Sequence, residues 1–339
     1  MPGTSEPELV VAVTGPTGTF GFGLVPLLQS DARVARIIGI ARRPFDPEVH
    51  GWTKMDYRRG DVRDRATLVE AFRGADVVVH LAFLVLGNAS SDTTRSVNVD
   101  GTLNALEAAA TAGARRFVYA SSVAAYGFHP DNPDLLTEDW PVRPAAHLFY
   151  AQEKAELERL LGEAAARHPD VELYLLRPSI VLGPHTVGAK DVPRLLKPLA
   201  RRLGGVAAHA GRWPVRLPAP VPRLPVQFVH EDDVGQAILA CIVAAGPPGA
   251  YNIAGDGVLT GADIARELGL APVPVPAGAA RAAARAVAAL PFLPQSAGWA
   301  EALTRPALMD TAKAKRELGW RPRYTGLEAL RVTLGRRQD

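Results

Sequence analysis

Three side chains of this 339-residue chain have types that together can move a proton: Tyr150, Lys154 and Ser122. The segment Tyr150-Ala151-Gln152-Glu153-Lys154 opens a helical pattern, and a spacing of four puts the phenol and the ammonium on one face. An ammonium beside a phenol favours the phenolate and is expected to draw its pKa down from about 10 toward neutrality. That would make the tyrosine a usable general acid or base. Alone, Tyr-x-x-x-Lys is a common surface pair. Here a second element points the same way: the apolar run Arg116 to Ala120 ends in Ser121-Ser122, where a hydroxyl could hold a substrate oxygen beside the phenol.

A second constellation precedes these residues. Thr14 to Gly21 reads Thr-Gly-Pro-Thr-Gly-Thr-Phe-Gly, directly after the apolar run Leu9 to Val13 and at the start of a helical pattern. Gly15 permits the tight turn, Gly18 lets the backbone approach a pyrophosphate, and Gly21 allows close helix–strand packing. The helix N-terminus offers free amides and partial positive charge to phosphates. Strand–turn–helix context makes this a dinucleotide site rather than an ordinary turn. About twenty residues further on, Gly39-Ile40-Ala41-Arg42-Arg43 lacks the acidic residue that would bond a ribose 2′-hydroxyl. Arginine suits a 2′-phosphate instead, so NADP is expected in preference to NAD.

The elements that must position these groups are legible as alternation. Leu9 to Val13, Ala35 to Ile40, Asp76 to Leu81, Arg116 to Ala120 and Glu172 to Leu176 are short apolar runs of the kind that form buried parallel strands. Helical patterns lie between them at Gly21 to Gln29, Asp64 to Phe72 (with Asp64 as N-cap), Val97 to Ala112 and Tyr150 to Arg167. The expectation is an α/β protein: a doubly wound, parallel-sheet Rossmann unit over residues 1–183, then a smaller C-terminal substrate lobe over 184–339. Segments around 226–255 are expected to return to the first unit. The second half is rich in Pro, Arg, Gly and Ala. It predicts a helix through Arg281 to Ala289 and another from a cap at Asp310 to just before Gly319.

Composition narrows the class. Apolar residues at 47% and charged residues at 22% are ordinary for a globular enzyme. Net charge is only +3 with basic residues scattered, which argues against a nucleic-acid partner. The one cysteine, Cys241, lies in an apolar run and reads as a buried structural thiol. Met1 to Glu8 do not form a signal peptide, and no run reaches the roughly 18 apolar residues of a membrane helix. A cytoplasmic protein without a membrane segment is expected. No Cys or His spacing indicates a metal site.

Taken in order, the motifs resemble the extended short-chain dehydrogenase/reductase family. They comprise the glycine turn, Gly60-Asp61-Val62, Val79-His80-Leu81-Ala82, Asn98-Val99-Asp100-Gly101-Thr102, Ala120-Ser121-Ser122 with Tyr126-Gly127, and Tyr150-x-x-x-Lys154. Leu176-Arg177-Pro178-Ser179, Phe228-Val229-His230-Glu231-Asp232-Asp233, Tyr251-Asn252-Ile253 and Glu317-Leu318-Gly319-Trp320 complete the set.

The resemblance implies cofactor contacts from Gly15, Thr17, Gly18, Thr19, Phe20, Gly21 and Arg42, and adenine contacts from Asp61 and Val62. Leu81, Ala82, Phe83 and Asn98 would lie along the dinucleotide, with Pro178, Ser179 and Val181 beside the nicotinamide. Tyr150 would exchange the proton, Lys154 would bind the nicotinamide ribose, and Ser122 would be the catalytic hydroxyl. His80 and His230 read as orienting backbone. Leu84, Val123, His147 and His185 are the candidate substrate residues, and Glu138 and Asp139 fall in a pocket-side loop. A homodimer through helices of the first unit is also implied.

Departures from the family's patterns narrow the reaction. Acidic residues that follow the catalytic hydroxyl in 4,6-dehydratases are here Val123 and Ala124. The asparagine that nucleotide-sugar epimerases carry after the Arg-Pro motif is here Ile180, and Val226-Gln227-Phe228 replaces an arginine before the His-x-x-Asp motif. Phe83-Leu84-Val85-Leu86 is apolar. The implied reaction is hydride transfer at a carbonyl or alcohol of a moderately apolar small molecule, nearest to the dihydroflavonol reductase and 3β-hydroxysteroid dehydrogenase branches. A nucleotide-sugar epimerase or a non-catalytic dinucleotide sensor are the alternatives.

Overall fold

The computed structural model describes residues 8–85, 91–146, 148–186, 218–222, 224–276, 278–279 and 305–336. Its main sheet has seven parallel strands: β1 (Leu9–Thr14), β2 (Val34–Ala41), β3 (Met55–Arg59), β4 (Val77–His80), β5 (Arg116–Ala120), β6 (Glu172–Pro178) and, from much later in the chain, Gly249–Ile253. From one edge the order is Gly249–Ile253, β6, β5, β4, β1, β2, β3. The chain builds outward from β1 through β2 to β3, then returns to place β4 on the other side of β1. Such a reversal of direction opens a crevice at the C-terminal strand ends.

Helices cover both faces. α1 (Thr19–Ser30) and the helix Glu231–Ile242 bury Leu24, Leu28, Val234 and Ile238 against Val11 and Val13 of β1. On the opposite face, α2 (Arg65–Phe72), α4 (Gly101–Ala112) and α5 (Phe149–Arg167) bury Leu68, Phe72, Leu106 and Leu157 against Ala12 and Ile38. A short helix α3 (Ser91–Arg95) and one π turn, Ser96–Asp100, lead into α4. Alternating strand residues thus serve two cores, as expected for a strand buried on both sides. Asp64 caps α2 as its sequence suggests, its carboxylate accepting from the Thr67 N–H at 3.1 Å.

The edge strand β3 escaped the apolar-run criterion. Its sequence, Met-Asp-Tyr-Arg-Arg, buries only Met55 outright, because an edge strand need not be apolar throughout. The C-terminal segment contributes smaller pieces. β7 (Ile180–Leu182) pairs in parallel with Phe228–His230, and the helix Gly326–Thr333 packs against the latter. The helix expected from Asp310 begins one residue later, with Thr311 as N-cap, and runs Ala312–Glu317; Asp310 still accepts the Ala312 N–H at 2.6 Å. The helix expected at Arg281 to Ala289 lies outside the described residues.

Candidate active site

Two of the three glycines of the turn, Gly15 and Gly21, have a steric reason to lack a side chain. Gly15 sits at φ +69°, and a Cβ there would approach the Ala82 Cα and N to 2.9 Å. A Cβ on Gly21 would lie 2.0 Å from the Pro16 carbonyl oxygen. Gly18 begins α1 with no side chain capping it. Gly15, Gly18, Thr19 and Phe20 line the cleft at this end, and a helix N-terminus there offers free amides that suit a pyrophosphate.

Below the turn, β1 and β4 are tied at their ends by a buried histidine. His80 Nδ1 meets Thr14 Oγ1 at 2.9 Å and Nε2 meets Thr102 Oγ1 at 3.0 Å. Burial holds this imidazole down to about 3, so it stays neutral and acts as a strut.

Tyr150, Lys154 and Ser122 meet on one wall. Ser122 follows β5 and hydrogen-bonds Tyr150, while its hydroxyl oxygen also accepts the Ala124 N–H at 3.1 Å. Lys154 Nζ donates to the Tyr119 hydroxyl at 3.0 Å and to the Ala120 carbonyl at 2.7 Å. It also lies 3.6 Å from the centre of the Phe83 ring and 5.7 Å from that of Tyr150. The phenol's environment corrects the expected lowered pKa. Burial raises the Tyr150 pKa, with the Ser122 bond opposing it, while burial draws the Lys154 ammonium down to about 7. The ammonium is committed to Tyr119 and Ala120, so desolvation governs the phenol.

One cleft of about 560 Å³ joins this wall to the glycine turn. Gly15, Gly18, Thr19 and Phe20 line one end; Leu81, Phe83, Ser122, Val123, Tyr150, Lys154, Pro178, Ser179 and Val181 line the rest. Among the described residues the Ser179 hydroxyl is buried without a hydrogen-bond partner, an open polar contact beside the expected nicotinamide position.

Other candidates stand behind the surface or at its margin. Ala82 presses its backbone against Gly15 and donates its N–H to Thr14 Oγ1 at 3.3 Å. Asn98 is fully buried and does not reach the cleft. Its side chain accepts the Leu84 N–H at 2.8 Å and donates to the Leu84 carbonyl at 3.0 Å, so both residues shape the loop after β4 instead of contacting ligand directly. Val62 is buried and packs where a side chain on Gly101 would go.

Asp61 is bound by Arg63 at 2.6 Å, which holds its carboxyl low with help from nearby Arg42. Arg42 is exposed at the end of β2. Thr17 is half-buried outside the cleft lining, and Gly21 serves packing. His185 stacks on Phe22 with ring centres 4.2 Å apart and meets Glu231 at 2.6 Å, anchoring the loop after β7 to α1. His147 lies outside the described residues. Glu138 accepts the Asn252 N–H at 2.8 Å and serves the frame.

Several lining residues were not among the expected site residues, although Val226 and Gln227 fall where the family's motif carries an arginine. Phe128, Pro225, Val226, Gln227, Arg305 and Ala307 complete the wall opposite the glycine turn. Gln227 brings two distant segments together, accepting the Met309 N–H at 2.7 Å and donating to its carbonyl at 3.2 Å. Tyr119, the partner of Lys154, lies on β5, one residue before that strand ends at Ala120. Among the described residues there is no cluster of metal-binding side chains, and no helix is long and apolar enough to cross a membrane.

Comparison with known proteins agrees with this geometry. The family model described as NAD dependent epimerase/dehydratase family matches residues 11–254. A Mycobacterium tuberculosis protein, Rv0501, described as uncharacterized, is 28% identical over 336 residues, spanning 95% of this chain and 82% of its own. The N-acetyl-alpha-D-glucosaminyl-diphospho-ditrans,octacis-undecaprenol 4-epimerase of Escherichia coli O157:H7 is 36% identical over 143 residues, 42% of this chain and 41% of that one. Among solved structures, the dTDP-glucose 4,6-dehydratase DesIV of Streptomyces venezuelae, with NAD and TYD bound, has a TM-score of 0.69 at 23% identity over 96% of both chains. UDP-glucose 4-epimerase of Thermotoga maritima, with UDP-glucose, has a TM-score of 0.70 at 19% identity, covering 96% and 98%. At these identities the structural likeness is one of fold.

Proposed function

The chain belongs to the NAD dependent epimerase/dehydratase family, and from that premise we propose that it is an NADP-preferring dehydrogenase or reductase acting on a carbonyl or alcohol of a moderately apolar small molecule. The observation that carries the reading is the single cleft that runs from Gly15 and Gly18 to Ser122, Tyr150 and Lys154. Gly15, Gly18 and the first turn of α1 would hold the pyrophosphate. Arg42, close enough to Asp61 to lower its pKa, would take the ribose phosphate. Leu81, Phe83, Pro178, Ser179 and Val181 would border the nicotinamide, which when bound supplies or accepts a hydride.

The rest of the chemistry belongs to the chain. Ser122 and Tyr150 hold the substrate oxygen, and the Tyr150 phenol gives that oxygen a proton in reduction or removes one in oxidation. A phenol whose pKa is raised by burial stays protonated at neutral pH, which suits the reducing direction. Lys154 holds the ribose side and supplies positive charge. Val123, Phe128, Val226 and Ala307 give the substrate an apolar wall, with Arg305 and Gln227 as its polar exceptions.

Fluorescence titration with NADPH and NADH, followed by an NADPH-oxidation panel of apolar ketones and aldehydes, tests this. Tight NADPH binding with turnover of the panel is the expected result; failure to bind either dinucleotide rejects it. A nucleotide-sugar epimerase is the second reading, favoured by the 36% identity to the Escherichia coli 4-epimerase over 143 residues. Purified protein that retains NAD and interconverts a UDP-sugar, with no net NADPH oxidation, would replace the first reading with the second.

A further inference from the structure

Glu153 sits between the two proton-transfer residues in sequence but does not line the cleft. It is 2% exposed. Its Oε2 accepts from the Asn98 side-chain amide at 2.8 Å, while Oε1 is buried without a hydrogen-bond partner among the described residues. A buried carboxylate with half its capacity unused is costly, and such a group is retained where its charge or its single bond serves something else.

The single bond leads to the cleft. Asn98 spends its remaining amide groups on the Leu84 N–H and carbonyl. Leu84 follows Phe83, whose ring covers the Lys154 ammonium at 3.6 Å and meets Tyr150 edge-on at 5.7 Å and 87°. A chain of contacts therefore runs from Glu153 through Asn98 and Leu84 to the aromatic face over Lys154.

Charge reaches the same place. The charged and titratable groups around Glu153 are Arg95 from α3, with Asp100 of the π turn beside it, and Lys154 and Glu156 on its own helix. Around Lys154 they are Tyr150, Glu153 and Glu158 on its helix, Tyr119 on β5 and His80 on β4. Burial works against the Lys154 ammonium, and Glu153 and Glu158 oppose it. Glu158 is already engaged bidentately by Arg177, so Glu153 is the uncommitted carboxylate of the two.

We propose that Glu153 is a positioning residue for the proton-transfer site: through Asn98 it fixes the Phe83–Leu84 segment over Lys154, where a negative charge on Glu153 favours the Lys154 ammonium. The inference rests on the assignment of Tyr150 and Lys154 above. A Glu153→Gln side chain can still accept from Asn98 and lacks only the charge. Removing a negative neighbour lowers the pKa of an ammonium, so activity that needs that ammonium is lost at lower pH.

The experiment measures kcat/KM for carbonyl reduction, and NADPH affinity by fluorescence, across pH in the wild type, Glu153→Gln, Glu153→Asp and Asn98→Ala. In Glu153→Gln both the rate and the affinity should fall off earlier on the alkaline side, by roughly half a pH unit or more. Glu153→Asp should keep the wild-type midpoint. Asn98→Ala should lower kcat at least about tenfold with the midpoint unmoved. Equal midpoints in wild type and Glu153→Gln overturn the charge role, and wild-type kcat in Asn98→Ala overturns the positional role. Should Glu153→Gln not fold, the Glu153→Asp midpoint and the Asn98→Ala rate still decide: a displaced midpoint in the former or an intact rate in the latter rejects the proposal. Absence of NADPH binding by the wild type is a separate result, which rejects the functional assignment itself.

Discussion

At the residue scale the central feature is a lysine held at the edge of ionisation. The Lys154 pKa is drawn from 10.5 to about 7 by burial. Between those values the unfolded chain binds this proton and the folded chain does not, so stability should rise with pH across that window, the cost being complete below about 7. Lys154→Met should flatten the rise, as urea unfolding at pH 6 and pH 9 would reveal; an unchanged slope contradicts the assigned pKa. Arg42 offers a second residue-scale test. Arg42→Ala should weaken NADPH at least about tenfold while leaving NADH within about twofold, because only the 2′-phosphate loses its partner. Fluorescence titration with both nucleotides reads this, and equal losses for the two would sink the NADP preference. That Ser122, Tyr150 and Lys154 would come together on one wall was legible from residue type and spacing. The direction of the Tyr150 shift was not, because spacing carries no information about desolvation or about Tyr119 taking the ammonium's hydrogen bond.

At the scale of elements, two helices from distant parts of the chain touch backbone to backbone. A Cβ on Gly23 of α1 would lie 2.2 Å from the Glu231 carbonyl oxygen, and one on Gly235 would lie 2.2 Å from the Gly23 carbonyl oxygen. Gly235→Ala should therefore force α1 and the helix Glu231–Ile242 apart and cost about 1–3 kcal/mol, measured by denaturant unfolding. A change within about 0.5 kcal/mol would show that the helices can separate freely. No local pattern announces this contact, since both glycines read as weak points in ordinary helical runs. The strands β1, β2, β4, β5 and β6 were legible because burial on both faces demands continuous apolar residues. β3, at the sheet edge, has no such demand and was missed. The capping boxes at Thr260/Asp263 and Thr325/Glu328, each with both reciprocal hydrogen bonds, are short-range signals that a closer reading of the second half would find.

At the scale of the whole molecule, a buried polar network ties the sheet to the C-terminal segment. Arg177 grips Glu158, with a closest approach of 2.6 Å, and donates to the Tyr126 hydroxyl at 2.6 Å. Tyr126 donates to Asn252 at 2.8 Å, and Asn252 in turn donates to the carbonyls of Leu136 and Asp310. With side chains only 6% and 5% exposed, the Arg177–Glu158 pair is one whose single-partner removal strands a charge. Glu158→Gln should cost about 3–5 kcal/mol in unfolding free energy; a loss below about 1 kcal/mol would mean that the network does not hold the molecule together. The motif containing Arg177 was visible in the sequence, but this use of it was not, because its partners lie 19 and 51 positions away. The same holds for Arg305, which reaches the cleft only through tertiary packing. The proposed reaction turns on Tyr150 acting as proton donor at the end of a dinucleotide cleft. Its most direct test pairs NADPH titration with single-turnover NADPH oxidation in the wild type and Tyr150→Phe. Affinities within about threefold and a rate lowered at least about a hundredfold are predicted; a Tyr150→Phe enzyme that turns over at the wild-type rate would contradict it.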